Sequence, residues 1–99
     1  MHKELFITID HIEDFCPCPH LRPGDVLILR KDLCNPYDDE AIAVYDDKDM
    51  KIGYVANSVR SVARGTCSAG RIYDLMKEEE NCKVCFILDD VAIAQFQCE

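Results

Sequence analysis

The sequence predicts an α+β chain, mainly antiparallel β, that closes as a small OB-like or SH3-like β-barrel of about six strands with one or two short helices. Three observations lead there. Six short segments rich in β-branched and aromatic residues are separated by turn signals. Helical spacing replaces strand-like patterning only in the stretch between Ala56 and Cys82. Finally, 99 residues, 48% of them hydrophobic, suffice for one core, roughly two thirds of the unfolded surface being buried at this size, but are too few for two stacked sheets. Closure also removes the exposed edges that so short a chain could not otherwise cover. A single domain over residues 1–99 is therefore expected.

The elements follow in order. "LFITI" at residues 5–9 is the first strand. "DHIEDFCPCPHLRPGD" contains Pro17, Pro19, Pro23 and Gly24, which break helix and ladder alike, so it should be a long excursion ending in a Pro-Gly turn. "DVLILRK" at residues 25–31 carries four consecutive apolar residues, as a strand buried on both faces or wrapped around a barrel would. A polar turn, "DLCNPYDDE", leads to "AIAVY" at residues 41–45. The charged hairpin "DDKD" then connects to "MKIGYVA" at residues 50–56. "NSVRSVARG" has an N-cap residue, apolar Val59, Val62 and Ala63 at spacings of three and four, and Gly65 as a stop, which predicts a short helix over 57–65. "SAGRIYDLMKEEE" at residues 68–80 sets Ile72, Leu75 and Met76 on one face and reads as a second helix. "CKVCFIL" at residues 82–88, an Asp89-Asp90 turn and "VAIAQFQ" at residues 91–97 complete the barrel.

Composition limits the function classes. No run approaches the roughly 20 apolar residues that cross a bilayer, and "MHKELFITID" lacks the pattern of a signal peptide, so a cytoplasmic protein without a membrane partner is expected. The formal net charge of −8 argues against unspecific coating of a nucleic-acid backbone, which depends on cations that displace counterions. Any nucleic-acid role must be local and geometric. Seven cysteines without an export signal read as reduced thiols. Zinc is the alternative, because Cys16, Cys18, Cys82 and Cys85 could supply four thiolates. Strand alternation places Cys82 and Cys85 on opposite faces, which opposes that arrangement.

The central residues carry a more specific pattern. Gly24-Asp25, the apolar residues 26–29, Arg30, Asn35-Pro36-Tyr37-Asp38, Ala41-Ile42-Ala43-Val44 and Ile52-Gly53-Tyr54 occur in an order and spacing that resembles the HIRAN domain. The resemblance runs from Leu21 to Ala63. It implies a modified OB-like barrel with two helices and, as in the eukaryotic members, a pocket for the 3′ end of single-stranded DNA. By that resemblance Tyr37 packs on a terminal base, Asp38 accepts from the 3′-hydroxyl and Asn35 shapes the loop. Tyr54 and Asn57 stand where those members place a phosphate-binding His and Lys. Phe15 is the remaining ring in the segment where they bring an Arg and a Tyr. Lys51, Arg60 and Arg64 are the cations available as substitutes.

Each feature also has a structural explanation. Asn35 and Asp38 suit turn chemistry, with Pro36 fixing φ. Tyr54 suits a core aromatic whose hydroxyl reaches the rim, and Gly53 a close approach or a bulge. The carboxylate runs at residues 38–40 and 46–49 lack calcium-loop spacing and read as solvated turns. His2, His11 and His20 have no companion at ligand spacing. No nucleophile, base and oxyanion set can be named, so neither an enzyme nor a cofactor is expected. Two functions remain: a module that recognises the 3′ end of a single-stranded nucleic acid, accessory to repair or processing, and a protein-interaction domain that docks a partner on an acidic surface.

Overall fold

The computed structural model describes residues 5–12, 21–58, 62–88 and 91–97. Among the described residues the strands are β1 (Leu5–Asp10), β2 (Val26–Lys31), β3 (Ile42–Tyr45), β4 (Lys51–Val55), β5 (Glu79–Leu88) and β6 (Val91–Gln97), with a short helix, α1 (Ala69–Tyr73), between β4 and β5. Every strand pairing is antiparallel, and the order β1-β4-β3-β2-β5-β6 closes on itself as a barrel. The predicted fold class is thus borne out. Among the described residues no helix is long and apolar enough to cross a membrane.

Alternation explains the core. In β2, Leu27 and Leu29 point inward and are essentially buried, whereas Val26 lies exposed, so the apolar run wraps a barrel instead of lying between two covered faces. Ile7 and Ile9 of β1, Ile42 and Val44 of β3, Val84 of β5, and Ala92 and Ala94 of β6 fill the same interior. Burying side chains of this size stabilises by roughly 1.5–3 kcal/mol each when a Val or Ile is fully removed from water.

Thr8 departs from the alternation, being buried on the outer face of β1. Its hydroxyl oxygen accepts from the Ala63 backbone N–H at 3.0 Å and lies 2.8 Å from the Thr66 hydroxyl. The segment after residue 61 therefore covers β1 from outside. It also continues the edge that β4 leaves free, since Cys67 N–H donates to the Phe6 carbonyl at 2.7 Å.

Two predicted elements change. Of the described residues in the expected 57–65 helix, none is helical; one turn-like bond survives, from Val62 N–H to the Ser58 carbonyl at 2.9 Å, and Gly65 has φ of 90°. Residues 59–61 of that expectation lie outside the described residues. The second helix is five residues long, and the acidic run that was expected to extend it enters β5 instead. Glu79 and Glu80 pair with Arg30 and Leu29 of β2, so tertiary pairing overrides the helix propensity of Glu.

Both bulges have consequences. Between β3 and β4 the register passes from Val44↔Gly53 to Tyr45↔Lys51, leaving Ile52 without a partner. This extra residue shifts the phase, so Lys51 and Tyr54 lie on one side although three positions separate them. Between β5 and β6 it is Cys85 that has no partner.

Candidate functional site

The turn at residues 35–38 is built by its own side chains. Asn35 Oδ1 accepts from the backbone N–H groups of Tyr37 at 2.8 Å and Asp38 at 3.1 Å, forming an Asx turn. Asp38 Oδ1 accepts from Glu40 N–H at 2.9 Å. These bonds turn the chain outward before β3, and the Tyr37 ring stands 95% exposed. An aromatic ring this exposed on a locally fixed loop can present its faces for stacking.

A second set of bonds anchors the turn to the barrel. Asn57 Nδ2 donates to Asp38 Oδ2 at 3.2 Å, while Asn57 Oδ1 accepts from Gly70 N–H at 2.8 Å. Gly70 lies in the first turn of α1, where backbone N–H groups have no helical partner. Asn57 thus joins the Asp38 carboxylate to α1, and its amide is engaged on both sides. An ionised carboxylate only accepts hydrogen bonds, so Asp38 is a fixed acceptor with further lone-pair capacity toward a ligand.

Beside this loop lies an open cleft of about 300 Å³. It is lined by Asn35, Tyr37 and Asp38 of the loop, by Asp10 at the end of β1 and the following His11, and by Tyr54 and Asn57. The Asp10↔Tyr54 pairing brings the ends of β1 and β4 together there. Gly53 makes this approach feasible, since a Cβ on it would lie 2.5 Å from the Asp10 carbonyl oxygen and 3.2 Å from Ile9 Cγ2.

Tyr54 is half-buried. Its hydroxyl donates to Asp32 Oδ2 at 3.0 Å and accepts from Lys51 Nζ at 3.0 Å. The hydrogen bond to Tyr54 is the main cause that raises the Lys51 pKa above the ordinary lysine value. Lys51 therefore stands at the hydroxyl end of Tyr54 and holds the ring in place. Arg30, the basic residue of the β2 pattern, is also engaged: it pairs with Asp49 and with Glu79, at 2.7 Å, and lies 4.7 Å from the Tyr45 ring centroid.

The structure brings five of the sequence-predicted residues, Asn35, Tyr37, Asp38, Tyr54 and Asn57, to one cleft, and sets Lys51 behind Tyr54. Phe15 and Arg60 lie outside the described residues, as do Cys16 and Cys18 of the zinc alternative. Among the described residues no group of three or more metal-ligating side chains assembles. Cys82 is buried, and burial pushes its thiol up to about 12, so it is protonated at neutral pH and a poor metal ligand. Asp10 and His11 were missed by sequence reasoning. The only available signal was their position directly after a strand, where alternation gives no indication that the chain turns toward a cleft.

Residues 18–65 match the family model described as the HIRAN domain. The whole fold is similar to the crystal structure of the HIRAN domain of human HLTF, with a TM-score of 0.66, 17% identity, and coverage of 94% of this chain and 74% of that one. No curated protein matches the chain at a significant level.

Proposed function

We propose that this chain, which carries a HIRAN domain match over residues 18–65, binds the 3′ end of a single-stranded nucleic acid as a non-enzymatic module accessory to DNA repair or processing. The observation that carries the reading is the fixed Asp38 carboxylate beside the exposed Tyr37 ring. A terminal nucleoside offers what these two groups lack: a flat base for the ring and a hydroxyl donor for the carboxylate. Base stacking on such a ring contributes about 1–3 kcal/mol, and a hydrogen bond to a charged acceptor about 1.5–3 kcal/mol. A 3′-phosphate in the same place would meet the carboxylate with like charge. Asn35 shapes the loop, Asn57 positions Asp38, and Tyr54 lines the cleft. Fluorescence anisotropy with oligonucleotides ending in a 3′-hydroxyl or a 3′-phosphate tests the reading, and Asp38→Ala tests its mechanism. Preference for the hydroxyl end, lost in the variant, is expected.

A second reading draws on the charge distribution. The chain carries a formal charge of −8, and Arg30 is occupied by Asp49 and Glu79. An acidic surface of this kind would dock a basic protein partner on the same barrel. Affinity purification in the presence of nuclease separates the two, since a stoichiometric protein partner that survives nuclease supports docking.

A further inference from the structure

We infer that the Asp38 carboxylate takes up both hydroxyls of a terminal ribose, so that the preferred strand ends in a ribonucleotide with a free 2′,3′-diol; the inference rests on the strand-end reading above and adds to it the class of sugar. The way Asp38 is held carries it. Glu40 N–H donates to Oδ1 at 2.9 Å, and Asn57 Nδ2 donates to Oδ2 at 3.2 Å. One such bond would suffice to place an oxygen for a single hydroxyl. A bond on each oxygen also holds the carboxylate against rotation about its own axis. Asn57 is itself oriented, because its Oδ1 accepts from Gly70 N–H at 2.8 Å and its Nδ2 is thereby turned to Asp38. Asp38 and Asn57 are both half-buried, which strengthens these bonds relative to water.

An ionised carboxylate offers about four acceptor sites, shared between its two oxygens. Among the described residues each Asp38 oxygen accepts one bond, so acceptor capacity remains on both, side by side on a group that does not turn. A deoxyribose 3′ end brings one donor and uses one oxygen. A ribose 3′ end brings two neighbouring donors on the same face of the sugar and uses both. The 2′-hydroxyl is the group by which a site tells RNA from DNA, and an acidic side chain reads ribose hydroxyls in the same manner in dinucleotide-binding folds.

The surroundings of Asp38 suit this ligand. The cleft is open, and the added hydroxyl lies on the side of the ribose that already faces the carboxylate, so it requires no new space behind the sugar. No Lys or Arg is among the described residues that line the cleft. A terminus closed as a 3′-phosphate or a 2′,3′-cyclic phosphate would therefore set its charge against Asp38 with neither of these cations to offset it.

The test is fluorescence anisotropy with 5′-labelled oligothymidylates that differ only in the last sugar: ribose, deoxyribose, 2′-O-methylribose with a free 3′-hydroxyl, and 2′,3′-dideoxyribose. The ribose end should bind the wild-type chain about tenfold tighter than the deoxyribose end, as one added hydrogen bond to a charged acceptor would give. The 2′-O-methyl end, which keeps the ribose pucker but lacks the 2′ donor, should bind no tighter than the deoxyribose end, and the dideoxyribose end should bind most weakly. Asp38→Asn, which leaves one acceptor oxygen and no charge, should bind the ribose and deoxyribose ends alike. Equal binding of these two ends by the wild type, an advantage that the 2′-O-methyl end shares, or an advantage that persists in Asp38→Asn would overturn the diol assignment; in each case a deoxyribose end that still binds better than the dideoxyribose end leaves strand-end recognition standing. Equal binding of all four ends, or binding of none, would overturn both. The comparison among the four ends on the wild type needs no substitution and so does not depend on the variant folding.

Discussion

Asp38 reaches its position through two neighbours of different kinds. Glu40 N–H fixes one carboxylate oxygen locally, and Asn57, 19 positions later in the chain, fixes the other. Asn57→Ala should therefore weaken discrimination between 3′-hydroxyl and 3′-phosphate ends without removing the carboxylate. Lys51 supplies a prediction of a different type. Its pKa is raised in the folded chain, chiefly by the hydrogen bond to Tyr54. The stabilisation it contributes is fully present below the ordinary value of 10.5 and is lost as the pH rises through the raised folded value. Thermal melts from pH 9 to 11.5 should fall more steeply for the wild type than for Lys51→Met; parallel curves would contradict the coupling. The cysteines divide by burial. Cys34 is exposed, whereas Cys67 and Cys82 are buried. Among the described cysteines, limited alkylation followed by mass mapping should label Cys34 first and Cys82 only on unfolding, because its thiol is both buried and held protonated.

Among the elements, the β1–β4 contact is the most sensitive. A methyl group at residue 53 would meet backbone, the Asp10 carbonyl oxygen at 2.5 Å, which cannot swing aside as a flexible side chain could. Gly53→Ala should cost about 1–3 kcal/mol of unfolding free energy by overpacking, measurable by urea denaturation, and should also disturb the Asp10 wall of the cleft. The sequence offered this glycine as a close approach or a bulge, and it showed the six strands, because inward residues such as Leu27, Leu29, Ile42 and Val44 recur with period two. It did not decide between the two or place the extra residue at Ile52, since that is set by the pairing between β3 and β4. It also overstated the helices. Helical spacing around Val62 was real, but Ala63 bonds to Thr8 and Cys67 to the free edge of β1; Glu79 and Glu80 entered β5 and paired with β2. The loop at residues 35–38 was legible because its chemistry is local. Asp10, His11 and the positioning role of Asn57 were not, because only the closed barrel brings residues 10, 38, 57 and 70 together.

At the scale of the whole molecule, an acidic barrel with its described Arg30 neutralised by Asp49 and Glu79 cannot attract a strand by general charge. Each phosphate neutralised on a single strand contributes a salt slope of about −0.7 in log K against log salt. Because no Lys or Arg is among the described residues that line the cleft, the slope should be no steeper than about that single value, and a steep dependence equivalent to several phosphates would show that cations beyond the described cleft dominate. The central claim is that a fixed carboxylate selects a hydroxyl terminus. Anisotropy with two oligonucleotides of identical sequence, one ending in a 3′-hydroxyl and one in a 3′-phosphate, tests it most directly. The account predicts binding of the hydroxyl end about tenfold tighter or more, from a hydrogen bond to a charged acceptor, with the preference abolished in Asp38→Ala. Equal binding of both ends, or a preference that persists in Asp38→Ala, would contradict it.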